Sequence, residues 1–231
     1  MDLTTKNILA IIPARGGSKG LPRKNIIDLA GKPLITWTIT ASIESKYITK
    51  TIVSSDDDEI LDISKSFGAQ TIRRPDELAL DTSSSEMVIE NVLEELNKDK
   101  TFVIDLVILL QPTSPLRSSD DIDSALEMMV SKNATALISV YQTDNKVLKA
   151  FVENEDGYIK SPFNKRYPFM RRQDLPSIFM PNGAIYIITK DEFDLHKTLI
   201  TDKTAFYEMN KDKSIDIDNE DDLEVAERYL S

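Results

Sequence analysis

The chain of 231 residues has no cysteine, one histidine (His196) and one tryptophan (Trp37). Without thiols there is no disulfide framework, no thiolate nucleophile and no cysteine-ligated metal. A reduced compartment, the cytoplasm, is therefore the expected location. A lone histidine cannot build an imidazole-rich metal site, and Ser114 has no histidine partner to activate it, so serine-hydrolase chemistry is set aside. No apolar run approaches the ~20 residues of a membrane helix. Met1–Lys6 leads into a short strand and a polar loop, so no secretory leader is expected. Positive charge is also scarce: 28 Lys and Arg stand against 39 Asp and Glu, a net charge of -11. A protein that grips nucleic acid needs a basic face, and this balance argues against one.

Against that acidic background, Arg15, Lys19, Arg23 and Lys24 fall within ten residues of one another. They lie in Ala-Arg-Gly-Gly-Ser-Lys-Gly-Leu-Pro-Arg-Lys-Asn (14–25), directly after the strand-like apolar run ending at Pro13. Glycines let a backbone approach a ligand and aim its amides inward, while the cations supply charge. The loop is neither a P-loop, which needs a Gly five residues after the first and then Lys-Ser/Thr, nor a dinucleotide fingerprint, because Gly16, Gly17 and Gly20 are misspaced. It nonetheless has the composition of a phosphate cradle; the plain alternative is a solvated basic turn.

The first two-thirds of the chain alternate strand and helix patterns. Strands are expected at 8–13, 50–54, 70–73, 105–111 and 134–141, with helices at 33–45, 56–67 and 83–97 and another starting at Ser119. Asp56-Asp57-Asp58, Asp120-Asp121 and Asp221-Asp222 read as helix starts rather than metal sites. Trp37 reads as core and His196 as decoration on a helix. This order implies a Rossmann-like, doubly wound α/β fold around a mainly parallel sheet. From Asp144 the pattern breaks. A hairpin turning at 154–157 is expected, then a stretch over 161–182 with four of the ten prolines and Arg166, Arg171 and Arg172 among aromatics. We read 144–181 as a small β-rich excursion from a single domain over 1–231, after which the sheet resumes at 183–189.

Ligands of open parallel sheets sit outside the carboxyl ends of the strands. Three polar clusters fall at such ends: 15–25, Gln111-Pro-Thr-Ser-Pro-Leu-Arg117, and Asp216/Asp218. Cations, amides and a carboxylate pair make sense together around a metal-bound nucleoside triphosphate. Alternating carboxylates share one face of an extended segment and, as hard oxygen donors, suit Mg²⁺. The alternative for Asp218 is simply to cap the following helix.

Taken in order, Ile12–Gly20 with Lys24-Asn25, Arg74-Pro75 before Ser83-Ser84-Ser85, Leu110–Arg117, Asn182-Gly-Ala-Ile-Tyr186 and Ser214–Asp218 resemble the CMP-sialic acid synthetases (acylneuraminate cytidylyltransferases) of the bacterial single-domain type. The resemblance implies an enzyme that joins CTP to a nine-carbon 2-keto sugar acid, most simply N-acetylneuraminate, and releases pyrophosphate. Legionaminate, pseudaminate or an eight-carbon keto-deoxy acid is the alternative acceptor, and a non-catalytic nucleotide-sugar sensor the alternative class. It further implies that Arg15, Asn25, Arg74, Ser85 and Gln111 hold the nucleotide, and that Lys19 and Lys24 face its phosphates. Gln111, Arg172, Asn182 and Tyr186 would hold the sugar, and Asp216 and Asp218 the Mg²⁺. Arg15, Lys19, Lys24 and Arg172 are then the catalytic set, in a homodimer formed through the excursion.

Overall fold

Residues Ile8–Ile12 have no accessible surface at all, and that run seeds the molecule. In the computed structural model, which describes residues 2–98 and 102–230, it forms β1 (Ile8–Pro13) of a seven-stranded sheet. The other strands are β2 (Lys50–Ser55), β3 (Gln70–Arg73), β4 (Leu106–Leu109), β5 (Ala136–Thr143), β6 (Ile178–Thr189) and β7 (Thr204–Glu208), in the order β7-β5-β6-β4-β1-β2-β3. β6 runs antiparallel to β4 and β5, and every other pairing is parallel. Two-residue periodicity splits β1 between two cores. Ile8, Ala10 and Ile12 pack with Ile35 and Ile39 of α1 (Leu34–Ile43), Ile60 of α2 (Asp58–Ser66) and Leu126 of α4 (Ser119–Ser131). Leu9 and Ile11 face the other way, toward Ile89 and Val92 of α3 (Ser85–Asn97) and Phe193 of α5 (Lys190–His196). A sheet with helices on both faces is the doubly wound arrangement expected. Truncating a side chain such as Ile11 to alanine would cost about 2–5 kcal/mol.

Helix starts follow the expected chemistry. Asp57 accepts the Ile60 N–H at the start of α2, and Ser118 and Asp121 form a reciprocal capping box on α4. α6 (Glu220–Leu230) closes the chain against a small cluster of Leu21, Leu29, Leu34 and Ile217. Trp37 departs from the sequence reading: it is half-buried against this small cluster, not in the main core, and its Nε1 donates to the Leu29 carbonyl at 3.1 Å. Three other elements differ. β7 was not anticipated, because it is an edge strand with half-exposed Phe206 and polar neighbours, whereas α5 is the helix that carries His196. β6 begins at Ile178, five residues before the expected Gly183, with Pro181 opposite Val140 as the last partner before a register shift. The expected hairpin is shorter than a pair of full strands: a 3₁₀ turn (Asn145–Lys149) precedes a two-residue ladder, Val152–Glu153 against Ile159–Lys160, around the 154–157 turn. Among the described residues no helix is long and apolar enough to cross a membrane.

Candidate active site

The strand order reverses between β1 and β4, since the chain runs outward through β2 and β3 and then returns to the other side of β1. Diverging connections leave a crevice at that switch point, and a cleft of ≈ 280 Å³ opens there. Its walls come from three connections: Arg15 to Asn25 after β1, both ends of the β3–α3 connection (Arg74 and Ser83 to Ser85), and Gln111 to Thr113 after β4. Asp216 and Asp218 close it from the segment before α6. A larger hollow of ≈ 730 Å³, lined by Lys132, Lys203 and Phe206 among others, lies at the amino ends of β5 and β7. Polar groups do not converge there as they do at the switch point.

The glycine-rich loop is held by acids that read in the sequence only as a helix start. The Gly16 N–H donates to Asp56 Oδ1 at 3.0 Å, and Arg23 pairs with Asp57 and Glu59. Arg23 in turn holds the Asp57 carboxyl below the usual carboxylate range. Asn25, 6% exposed, donates from Nδ2 to the Arg15 carbonyl at 2.8 Å and closes the loop on itself. Gly20 is required by close approach: a Cβ there would stand 2.4 Å from the Asp218 carbonyl oxygen. Lys24 Nζ reaches the same segment, donating to the Ile217 carbonyl at 2.7 Å and to Asp218 Oδ1 at 2.9 Å.

The cleft's cations divide into two kinds. Arg15 Nη1 and Lys19 Nζ share the two oxygens of Asp81, at 2.5 and 2.7 Å, and that double pairing pulls the Asp81 carboxyl down. Arg74 is different. It is 4% exposed, its Nε and Nη2 have no hydrogen-bond partner among the described residues, and Asp56 stands 3.8 Å away. Burial, reinforced by repulsion from Arg15 against the pull of Asp56, lowers its pKa. A buried guanidinium with idle donors is costly unless an anion completes it. The N-terminus of α3, beginning at cleft-lining Ser83–Ser85, adds free amides and the positive end of a helix dipole.

The carboxylate segment is irregular rather than a strand. The Ile217 N–H donates to the Thr113 carbonyl at 2.8 Å, which ties it to the loop after β4. Asn219, not Asp218, caps α6 by accepting the Asp222 N–H at 3.1 Å, so the Asp218 carboxylate is left for Lys24 and the cleft. Although Asp216 is solvent-accessible, the cleft walls crowd its carboxyl: desolvation raises its pKa, and the charge of Asp218 adds to the rise. Two neighbouring carboxylates at one cleft are a donor set with appetite for a cation. Among the described residues no third His, Cys, Asp or Glu completes a closed cage. An open two-carboxylate set fits Mg²⁺, which keeps waters and shares substrate oxygens.

Of the residues expected at the site, Arg15, Lys24, Asn25, Arg74, Ser85, Gln111, Asp216 and Asp218 line this one cleft. Lys19 stands at its rim, its side chain 81% exposed. Tyr186 is half-buried on β6; desolvation and the charges of Asp216 and Glu86 raise its pKa. Asn182 is buried and occupied: Oδ1 accepts from Ser139 Oγ at 2.6 Å and Nδ2 donates to Ser214 Oγ at 3.0 Å. Arg172 is not brought to the cleft. It is exposed on the excursion, 3.3 Å from Asp144, beside Gln142 and Gln173 in a separate hollow. Sequence reasoning missed Asp56, Asp81 and Thr113 as site-building residues.

The family model described as cytidylyltransferase matches residues 9–230. The N-acylneuraminate cytidylyltransferase of Streptococcus agalactiae serotype III (strain NEM316) is 37% identical over 225 residues, covering 93% of this chain and 51% of that protein. The chain thus spans about half the length of the curated relatives of that kind. The pseudaminic acid cytidylyltransferase of Campylobacter jejuni serotype O:2 is 32% identical over 219 residues and is covered to 94%, as is this chain. Among solved structures, a CMP:2-keto-3-deoxy-manno-octonic acid synthetase complexed with CTP superposes with a TM-score of 0.72 at 18% identity, covering 97% of this chain and 98% of that one. That likeness speaks to the fold. The sequence matches speak to kinship: this chain belongs to the cytidylyltransferase family.

Proposed function

We propose that the chain is a single domain that transfers a cytidylyl group from CTP to a sialic-acid-type 2-keto sugar acid, giving CMP-sugar and pyrophosphate. The observation that carries this reading is Arg74, buried with two idle donors in a cleft that also holds Asn25, Ser85 and a carboxylate pair. In the reaction the sugar's anomeric oxygen bonds to the α-phosphorus while the bond to the pyrophosphate oxygen breaks, and the hydroxyl proton passes to solvent or a cleft base. Arg74, Arg15, Asn25, Ser85 and Gln111 orient the nucleotide. Lys19 and Lys24 neutralise charge that grows on the departing phosphates. Asp216 and Asp218 would hold Mg²⁺, whose bound form supplies charge neutralisation at the triphosphate. Gln111, Asn182 and Tyr186 bound the acceptor side, with Asn182 acting through the backbone it braces. CTP as co-substrate makes the cytoplasm the working compartment.

Arg172 enters this reading through a second copy of the chain. The segment between β5 and β6 exposes Tyr158, Ile159, Phe163 and Phe169, apolar surface that a monomer seldom leaves in water. A homodimer through this excursion would cover them and carry Arg172 toward the partner's cleft, where its two-pronged guanidinium suits a sugar carboxylate.

Two acceptors compete. N-acetylneuraminate is favoured by the Streptococcus agalactiae relative, and pseudaminate by the Campylobacter jejuni relative of matching length. The nucleotide test is direct. Uracil lacks the exocyclic amine of cytosine and leaves buried groups unpaired, at about 1–3 kcal/mol each. CTP should therefore exceed UTP in kcat/KM by ten-fold or more; equal values would reject the cytidylyl reading.

A further inference from the structure

Arg117 ends the turn that follows β4 and is 2% exposed. Its Nη1 donates to two main-chain carbonyls, that of Gln111 at 3.2 Å and that of Ala184 at 3.0 Å. Its Nε and Nη2 have no partner among the described residues. Asp121 acts on it through space without closing an ion pair, and burial pushes the guanidinium down to about 9, still charged at neutral pH. A charge kept buried and half-paired is a poor stabiliser, and an apolar group of similar volume often holds a fold as well or better.

What the guanidinium does is join two segments. One is the cleft wall Gln111–Thr113; the other is the irregularity in β6, where the register with β5 shifts between Pro181 and Tyr186. The joint is tight. Gly183 has φ +76° and its Cβ would fall 2.7 Å from Gln111 Oε1, so no larger residue fits without moving that amide. Ser114 Oγ adds a long contact to the Asn182 carbonyl at 3.5 Å. The same wall holds the carboxylate segment through the Thr113 carbonyl and the Ile217 N–H at 2.8 Å. The β4–β6 ladder ends at Leu109 opposite Tyr186, and beyond it Arg117, with the Ser114 contact, fixes Gln111 relative to β6, and Asp216 follows.

We propose that Arg117 is a positioning residue for the acceptor: it locks the Gln111–Thr113 wall to the β6 irregularity so that Gln111 faces the sugar acid at a fixed distance from the metal-holding Asp216. This rests on the cytidylyl-transfer reading. Gln111 and Asp216 also serve the nucleotide and its Mg²⁺, but Arg15, Asn25, Arg74 and Ser85 come from other connections, so the lock bears on the acceptor more than on CTP.

The test compares Arg117→Met, Arg117→Lys and the unaltered protein in acceptor kinetics, CTP binding and thermal unfolding. For Arg117→Met the acceptor kcat/KM falls between ~10- and ~100-fold, the scale of a sub-ångström to ångström misplacement. Its CTP Kd rises by less than the acceptor kcat/KM falls, because Arg15, Asn25, Arg74 and Ser85 stay in place while only Gln111 and Asp216 shift, and its Tm is unchanged or higher. Arg117→Lys recovers most of the lost activity, since an ammonium has donors enough for both carbonyls. An unchanged acceptor kcat/KM in Arg117→Met overturns the proposal. So does a variant that is insoluble or loses Tm and CTP affinity alongside activity, because the role is then structural. Arg117→Lys as damaged as Arg117→Met at full Tm also overturns it. An unaltered protein that binds CTP but releases no pyrophosphate with any 2-keto sugar acid overturns the functional reading beneath it.

Discussion

The connection after β1 and the connection after β5 are both long, irregular and rich in arginine, yet they meet opposite fates. In the first, Leu21 and Leu29 are buried, Gly16 and Asn25 are hydrogen-bonded, and Arg15, Lys19, Arg23 and Lys24 each find a carboxylate in the same chain. In the second, Leu148 and Leu175 are buried, while Tyr158, Ile159 and Phe169 stand 73%, 66% and 85% exposed. The first satisfies its polar groups internally, and beside it in the cleft the buried Arg74, after β3, keeps idle donors that ask for an anion. The other leaves apolar surface asking for another protein surface. A small-molecule site and an interface are thus told apart by which kind of group the chain leaves incomplete.

The comparison breaks most sharply at the carboxylates. Asp216→Asn keeps the shape of an accessible side chain, so unfolding should be unchanged while kcat falls ~100-fold or more at saturating Mg²⁺, as for loss of one strong transition-state contact. Steady-state pyrophosphate release checks this, and near-normal turnover would remove Asp216 from the metal site. On the excursion, Phe169→Asp should weaken self-association ~30-fold or more if Phe169 is an interface anchor worth about 2 kcal/mol. Sedimentation across a concentration series reads that directly, and an unaltered sedimentation profile would leave the exposed ring without a partner. Arg172→Lys should raise the acceptor KM about ten-fold and spare CTP binding, because an ammonium cannot make the two-pronged contact.

Smaller effects separate glycines within the loop. Gly20→Ala must displace the Asp218 carbonyl and should lower kcat/KM about ten-fold, an intermediate misplacement cost. Gly17→Ala, with nothing within 4 Å of its Cβ, should be silent. Equal effects would mean the loop is not seated on Asp218. Smallest is Asp57→Ala, which removes an N-cap and should cost about 1 kcal/mol in denaturant unfolding. Because Arg23 depresses the Asp57 pKa in the fold, the pair's contribution is present above the ordinary carboxylate value of 3.8 and is lost as pH falls through the lower folded value. The variant's stability should therefore converge on that of the unaltered protein in strong acid.

The sheet centre was legible from the sequence because doubly buried strands read as unbroken apolar runs: β1 appears at the expected residues and β4 within them. β7 was not, since an edge strand with one wetted face carries a short, mixed pattern. At the site, residue types and order located Arg74, Gln111 and Asp216 in one cleft. Asp56 and Asp81 escaped notice because they act on residues 40 and 66 positions away, a proximity only the folded sheet creates. Arg117 escaped for a related reason: its meaning lies in two carbonyls, and carbonyls leave no mark on a sequence.

Incubation of the purified chain with CTP, Mg²⁺ and, in turn, N-acetylneuraminate, pseudaminate, legionaminate and an eight-carbon keto-deoxy acid tests the central claim most directly. The account predicts stoichiometric pyrophosphate and CMP-sugar with a nine-carbon acid, abolished by Asp216→Asn. CTP binding with no pyrophosphate from any acceptor would contradict it and leave a nucleotide-sensing protein on the same fold.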